Sequence, residues 1–535
     1  MNAADAITTG RTALGIELGS TRIKACLIAE DDATVLATGS HEWASRYEDG
    51  HWTYSLDEIE AGLQGAYAAV AADAQVRHGV RPSTLGSLGI SAMMHGYLAF
   101  DDGGRLLTPF RTWRDTTTGL AAAELSGLLG VNIPLRWSIA HLHQAVLDDE
   151  DHVSRVHRIT TLAGYVHERL TGRAVLGVGD ASGMFPIDPA TGGYDQHMLA
   201  QYDSLVGDRL PGPLLDLLPE VLPAGAPAGT LTAEGARFLD PTGALQPGVP
   251  LCPPEGDAGT GMVATNSISP RTGNVSAGTS IFAMVVLDEP LGTAHPEIDI
   301  VTTPVGSPVA MVHCNNGASE LASWVEVFVQ FARAASSDVD HGTAYDVLFR
   351  EALVGEADAG GLVAYNFIAG EPIAGLSEGR PLLVRMPDSP FTLANLMRAQ
   401  LFGVFATLAL GMRLLASEGV SLERLFAHGG MFHTAGVAQR FLAGALEVPV
   451  AVGDVAAEGG AWGMAVLAAY LRRSDELGLP EWLDRHVFAS AKLSVVDPQP
   501  EDIAGFRAYL QRYQQALPAQ AAAVHTLPST PKDTS

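Results

Sequence analysis

Residues 14–28 read LGIELGSTRIKACLI, and residues 273–284 read GNVSAGTSIFAM. Each stretch is an apolar run that breaks at small residues, Gly19-Ser20-Thr21 in the first and Gly278-Thr279-Ser280 in the second, and then resumes. Short apolar runs bounded by turn residues predict strands, so each stretch predicts a β-hairpin. Backbone N–H groups at such a tight bend form a concavity suited to phosphate oxygens. One such turn says little, because Gly-Ser-Thr turns join strands in many proteins that bind nothing there. Two copies about 260 residues apart, roughly one large domain each, predict a duplicated fold gripping a nucleotide between its lobes.

Length and composition agree with that reading. The chain has 535 residues, too many for a single core, and fits two domains of about 250 residues with a tail. Apolar residues make up 47% and charged residues 17%, ordinary for a globular α/β protein. Sixty acidic residues stand against 32 basic ones, a formal charge of −28, which argues against a nucleic-acid or anionic-membrane surface. A phosphate ligand must then be met locally, by backbone amides, a metal ion and single cations such as Lys24. Cys26, Cys252 and Cys314 show no C-x-x-C spacing, so neither a disulfide framework nor a structural zinc site is expected. The first residues, MNAADAITTGRT, do not resemble a signal peptide, and a reducing cytoplasm is the expected location. Ala399 to Met412 is apolar but short of a membrane span, and reads as a buried core helix.

Between the hairpins, Ser55-Leu-Asp-Glu58 predicts a capping box opening a helix whose apolar face includes Ile59, Leu63, Tyr67 and Val70 and which stops at Gly79. LGSLGISAMMHGYLAFD then reads as a buried strand, a turn and another strand. Strand, helix and strand recur, which implies a sheet covered by helices. The Pro- and Gly-rich run from Pro211 to Pro253 reads as irregular connection. These patterns divide the chain into a first domain over 12–268, a second over 269–497, and a terminal region over 498–535. That last region holds one helical stretch, Asp502 to Leu517, and a frayed tail.

Taken in order, the motifs resemble those of the FGGY carbohydrate kinases, two-domain sugar kinases of the actin-like ATPase (ribonuclease H-like) fold. The resemblance covers nearly the whole chain. It rests on GIELGSTRIK, ISAMMHG, the W-x-D of Trp113 and Asp115, ERLTG (168–172), GDASG (179–183), GDAGTG (256–261), SAGTS (276–280), GEP (370–372), HGGMF (428–432) and EGGAWG (458–463). Within the family, MMHG is most similar to the M-H-G of xylulokinases, and the whole chain is similar to kinases of ketopentoses such as xylulose or L-ribulose.

What the resemblance implies is transfer of the ATP γ-phosphoryl group to a sugar hydroxyl, a reaction governed by positioning and charge neutralisation. Asp257 matches the family's catalytic base. By itself a Gly-Asp turn is usually only a backbone-satisfying aspartate, and its role comes from its place before the second hairpin. Met94, His95, Asp115 and Asp257 are the expected sugar contacts. Gly19, Ser20, Thr21, Lys24, Gly278 and Thr279 are expected near the phosphates, and Gly429, Gly430 and Met431 near adenosine. Glu17 stands where the family usually has an aspartate, and carries the expected Mg²⁺ role with one more methylene of reach. HGGMFHTAG and the bulky EGGAWG depart from the family's usual loops, which implies a differently shaped base pocket. Glu458 reads as a first-turn carboxylate for the helix after it.

The partners expected are therefore a small-molecule sugar, ATP and Mg²⁺, with no nucleic acid and no membrane; a homodimer is compatible. An actin-like ATPase or sugar sensor without kinase activity is the alternative from another class, as is a kinase of glycerol or a ketohexose within the same one.

Overall fold

In this computed structural model, residues 2–453 and 459–527 are described, so Glu458 and the last eight residues lie outside. Both hairpins form. The first sheet contains β1 (Thr12–Leu18), β2 (Arg22–Ala29), β3 (Val35–Glu42), β4 (Ser87–Ala92) and β5 (Glu255–Gly256), in the order β3-β2-β1-β4-β5. β1 pairs antiparallel with β2 and parallel with β4, and β5 extends the parallel side.

The second sheet repeats the pattern with β6 (Thr272–Ala277), β7 (Ile281–Val286), β8 (Ile298–Thr302), β9 (Pro308–Cys314), β10 (Arg424–His428), β11 (Val450–Gly453) and β12 (Leu493–Val496). Its order is β8-β9-β7-β6-β10-β11-β12, with β6 antiparallel to β7 and parallel to β10. Removing the two edge strands leaves β9-β7-β6-β10-β11, the same sequence of antiparallel and parallel pairings as the first sheet. The fold is a duplicated α/β unit.

Helices cover these sheets as their patterns require. Helix α1 (Leu56–His78) opens with the expected capping box, in which Ser55 Oγ accepts from Glu58 N at 3.2 Å while Glu58 Oε2 accepts from Ser55 N at 3.0 Å. It ends at Gly79, whose φ of 73° is a left-handed cap that glycine adopts at little cost. Helix α2 (Asp257–Ala264) carries the chain from the first sheet to the second. Helix α3 (Leu393–Ser417) has the length and mean hydropathy of a membrane span, 25 residues and 1.6, yet packs inside the second lobe with most of that stretch buried.

Helix α4 (Gly460–Tyr470) follows β11 of the second sheet in sequence but lies against the first sheet. A Cβ built on Gly15 of β1 would overlap Ala461 O and Ala465 N, so glycine there lets the helix sit flat on the sheet. Gly463 does the same against α2, where a Cβ would lie 3.0 Å from the Thr260 carbonyl carbon. Trp462 fastens the helix further by donating its indole N–H to Ala33 O at 3.0 Å. The expected 269–497 domain therefore contributes a helix to the first lobe. The bulk of Trp462 lies in the same region, packed edge-on to Phe488.

A second correction concerns the C-terminal region. Helix α5 (Pro500–Thr526) continues well past Leu517, through Pro518. Tertiary docking overrides the weak local signal: Phe506, Tyr509, Leu510 and Tyr513 are buried in the second lobe, and Gln520 donates to Arg380 O at 2.7 Å.

Candidate active site

Each hairpin turn is anchored from behind. In the first, Trp43 Nε1 donates to Gly19 O at 2.7 Å and Tyr54 OH to Ser20 O at 2.6 Å. In the second, Gly317 N and Ala318 N donate to Thr279 O and Gly278 O, both at 2.8 Å. The loop supplying those donors hangs on Glu371 of the GEP motif, which is fully buried and accepts from Asn316 N at 3.3 Å and Asn316 Nδ2 at 3.0 Å. Burial pushes the Glu371 carboxyl up to about 7.

Between the lobes lies a cleft of about 440 Å³, lined from the first lobe by Glu17, Ser20, Met94, His95, Trp113 and Arg136, and from the second by Ser280, Phe282, His313 and His428. Asp257 sits on its floor as the first residue of α2. Its Oδ1 accepts from Met94 N at 3.2 Å, tying the start of α2 to the MMHG turn. The carboxylate is open to the cleft, yet the surrounding walls withdraw it from bulk water and raise its pKa.

Glu17 lies near the end of β1, opposite Lys24 on β2, so both side chains leave the same face of the hairpin. Its carboxylate lies against Gly460, the first residue of α4. Two carboxylates thus stand in one cleft, each at the start of a helix that bridges the lobes, where the dipole favours negative charge.

His95 holds the left-handed conformation, φ 71°, and is followed by Gly96 at 94°. Its ring lies beside Trp137, centroids 6.5 Å apart, with Nδ1 3.4 Å from Gly183 O. A Cβ on Gly183 would come within 2.5 Å of that nitrogen, which gives the GDASG glycine its steric reason. Burial, with Arg136 adding to it, drives the His95 pKa well below the usual histidine value, so the imidazole is neutral at pH 7. His313 falls to about 4 for the same reasons.

Asp115 is not among the cleft-lining residues. It is buried, with Oδ1 accepting from Thr117 N at 2.9 Å and Thr117 Oγ1 at 2.7 Å, and Oδ2 paired with His51 Nδ1. Both oxygens are occupied in holding the W-x-D loop, whereas Trp113 reaches the cleft and donates to Ser20 Oγ at 3.2 Å.

A second cavity of about 640 Å³ opens in the second lobe, lined by Gly278, Thr279, Gly430, Met431, Tyr345, Phe349 and His433 among others. The second hairpin turn forms the partition, with Ser280 facing the cleft and Gly278 and Thr279 facing this cavity. Gly429 is not on its lining. With φ 109°, and with a Cβ position overlapping Ala277 O, it is the residue that lets β10 end against β6.

Sequence reasoning missed Arg136, His313, Phe282 and Gly460. Arg136 forms an ion pair across the lobes with Asp299, which also accepts from Asn132 Nδ2 at 3.0 Å. No local pattern marks Arg136, because its partner Asp299 lies 163 positions away.

Known proteins agree with this architecture. A xylulose kinase of Haemophilus influenzae is 23% identical over 439 residues, 78% of this chain and 82% of its own. The solved structure of a xylulose kinase from Rhodospirillum rubrum matches with a TM-score of 0.78 at 21% identity, covering 96% of this chain and 99% of that one. One from Brucella ovis matches with a TM-score of 0.76 at 21% identity, covering 96% and 100%. Residues 12–263 match the N-terminal domain of the FGGY family of carbohydrate kinases and residues 273–472 its C-terminal domain. With both halves matched in order, the chain belongs to the FGGY family of carbohydrate kinases.

Proposed function

We propose that this protein is an ATP- and Mg²⁺-dependent ketopentose kinase, with D-xylulose or L-ribulose as acceptor. The observation that carries the proposal is the position of Asp257, open to a cleft that also holds the MMHG turn and one face of each hairpin. The similarity to xylulose kinases supports the choice of sugar.

In this reading the sugar lies against Met94 and His95, and a hydroxyl faces Asp257. The carboxylate accepts the hydroxyl proton as the oxygen attacks the γ-phosphorus in line. A raised pKa suits a group that must be ionised at neutral pH yet take up a proton. Neutral His95 orients a second hydroxyl without repelling the Arg136 guanidinium. The two hairpin turns, with Gly19, Ser20, Thr21, Lys24, Gly278 and Thr279, embrace the phosphates, while Gly430 and Met431 border adenosine and Gly429 shapes the strand end behind them. Trp113 and Phe282 give the cleft apolar walls that exclude water.

Among the described residues no group of three or more His, Cys, Asp or Glu forms a self-sufficient metal site. Glu17 nevertheless suits Mg²⁺, which usually takes one or two carboxylates together with phosphate oxygens and waters. Bound there, the ion would neutralise charge on the transferring phosphoryl group. Three buried cysteines with no C-x-x-C spacing fit a reducing cytoplasm, and a homodimer is compatible with this reading.

The test is ADP release with ATP and Mg²⁺ across D-xylulose, L-xylulose, D-ribulose, L-ribulose, glycerol and fructose, with phosphosugar confirmed by mass spectrometry. A ketopentose should stimulate release strongly. Stimulation by glycerol or fructose alone, or by none of the six, overturns the proposal.

A further inference from the structure

We propose that Gly460 positions Glu17: the missing side chain at the first residue of α4 is the space into which the Glu17 carboxylate reaches. A Cβ built on Gly460 would overlap Glu17 Oε1 and lie 2.8 Å from its Cδ and 3.1 Å from Thr260 Oγ1. Neither neighbour on the other sides can yield. Thr260 Oγ1 is 3.1 Å from Ser91 Oγ on β4 and 3.2 Å from Asp257 O at the start of α2. Helix α4 itself is held by the close approaches at Gly15 and Gly463 and by the Trp462 bond to Ala33 O. The group that would move is therefore the carboxylate, which a methyl at 460 would push along the cleft and away from the first turn of α4, where backbone N–H groups favour a negative charge.

Glycine at 460 matters, then, because residue 17 is a glutamate. One methylene less at position 17 withdraws the carboxylate from α4 and leaves room for a Cβ. The two positions form a coupled pair, and the side-chain length at 17 sets what 460 tolerates. The inference rests on the reading that Glu17 faces Mg²⁺ and the nucleotide phosphates.

The test compares wild type, Gly460→Ala, Glu17→Asp and the double variant by calorimetric binding of ADP with and without Mg²⁺, in the absence of any sugar. Gly460→Ala should lose the Mg²⁺-dependent gain in ADP affinity by about tenfold or more. Its metal-free ADP affinity should be unchanged and its Tm should stay within about 2 °C of wild type. Adding Gly460→Ala to Glu17→Asp should cost nothing further. If Gly460→Ala costs nothing in wild type, or the same factor in both backgrounds, the glycine acts through helix packing alone and the proposal falls. Should Gly460→Ala fail to fold, a folded double variant supports the coupling and an unfolded one overturns it. Because no sugar enters the measurement, failure of every acceptor in the ADP-release test would leave its outcome intact.

Discussion

Replacing Asp257 with asparagine separates proton acceptance from the other work of that side chain. The asparagine Oδ1 can keep the 3.2 Å bond from Met94 N, so the link between α2 and the MMHG turn survives. The cleft walls already disfavour the ionised carboxylate, so a neutral isostere costs no stability at pH 7. What is lost is the base, whose contribution of about 10²–10⁴ in rate corresponds to roughly 3–5 kcal/mol of barrier. Turnover measured by ADP release on the accepted ketopentose should fall by that factor, with ADP affinity unchanged. The pH profile supplies a second check. Asp257 must be ionised to act, so wild-type kcat/KM should decline as pH falls through its raised pKa, and the variant should lack that limb. Turnover within about tenfold of wild type at pH 7.5, or an acidic limb retained in the variant, would refute the assignment.

Gly429→Ala forces a side chain into a left-handed backbone and against Ala277 O, and should cost about 2–5 kcal/mol of stability with weakened nucleotide binding. Denaturant unfolding checks it, and a loss below about 0.5 kcal/mol contradicts the packing described. Asp180 is buried near Asp257, and burial first, then that neighbour's charge, lift its carboxyl to about 7. The native state therefore binds an extra proton between the ordinary aspartate range and pH 7, and stability falls across that window by up to about 1.4 kcal/mol per pH unit. Asp180→Asn should flatten the decline between pH 5 and 7 as read by denaturant midpoints, whereas parallel curves would reject it. Tyr509 donates to Ala364 O at 3.1 Å and accepts from Ala364 N at 3.2 Å, so Tyr509→Phe leaves buried backbone groups unpaired and should cost about 1–3 kcal/mol. Faster proteolysis within 500–526 would accompany that loss, and unchanged cleavage would contradict the docking role of α5.

Features encoded within a few residues were legible in the sequence. The hairpins, the Ser55–Glu58 capping box and the Gly79 stop all depend on neighbours close in the chain, and all appear where expected. Reading the two hairpins as a pair reached the duplicated fold. Features decided at a distance were not legible. The W-x-D pattern drew attention to Asp115, but His51, 64 positions earlier, determines that its carboxylate turns away from the cleft. Arg136 gains its place from Asp299 on the other lobe, and nothing around LRWS announces a cleft residue. The extent of α5 follows from pockets for Tyr509 and Gln520 that the tail's composition does not encode.

The return of α4 to the first sheet also sets a timetable for the nascent chain. The last strand of that sheet ends at Gly256, whereas the helix that covers its face ends at Tyr470. At about 5–20 residues per second, synthesis of the intervening segment takes roughly 10–40 s. For that interval the first sheet leaves the ribosome with Leu14, Ile16 and Ile90 already in strands but with the notch at Gly15 and Gly89 still bare. The N-terminal half cannot finish folding ahead of the C-terminal half, as successive domains usually do. The two lobes reach completion together, when nearly the whole chain is out.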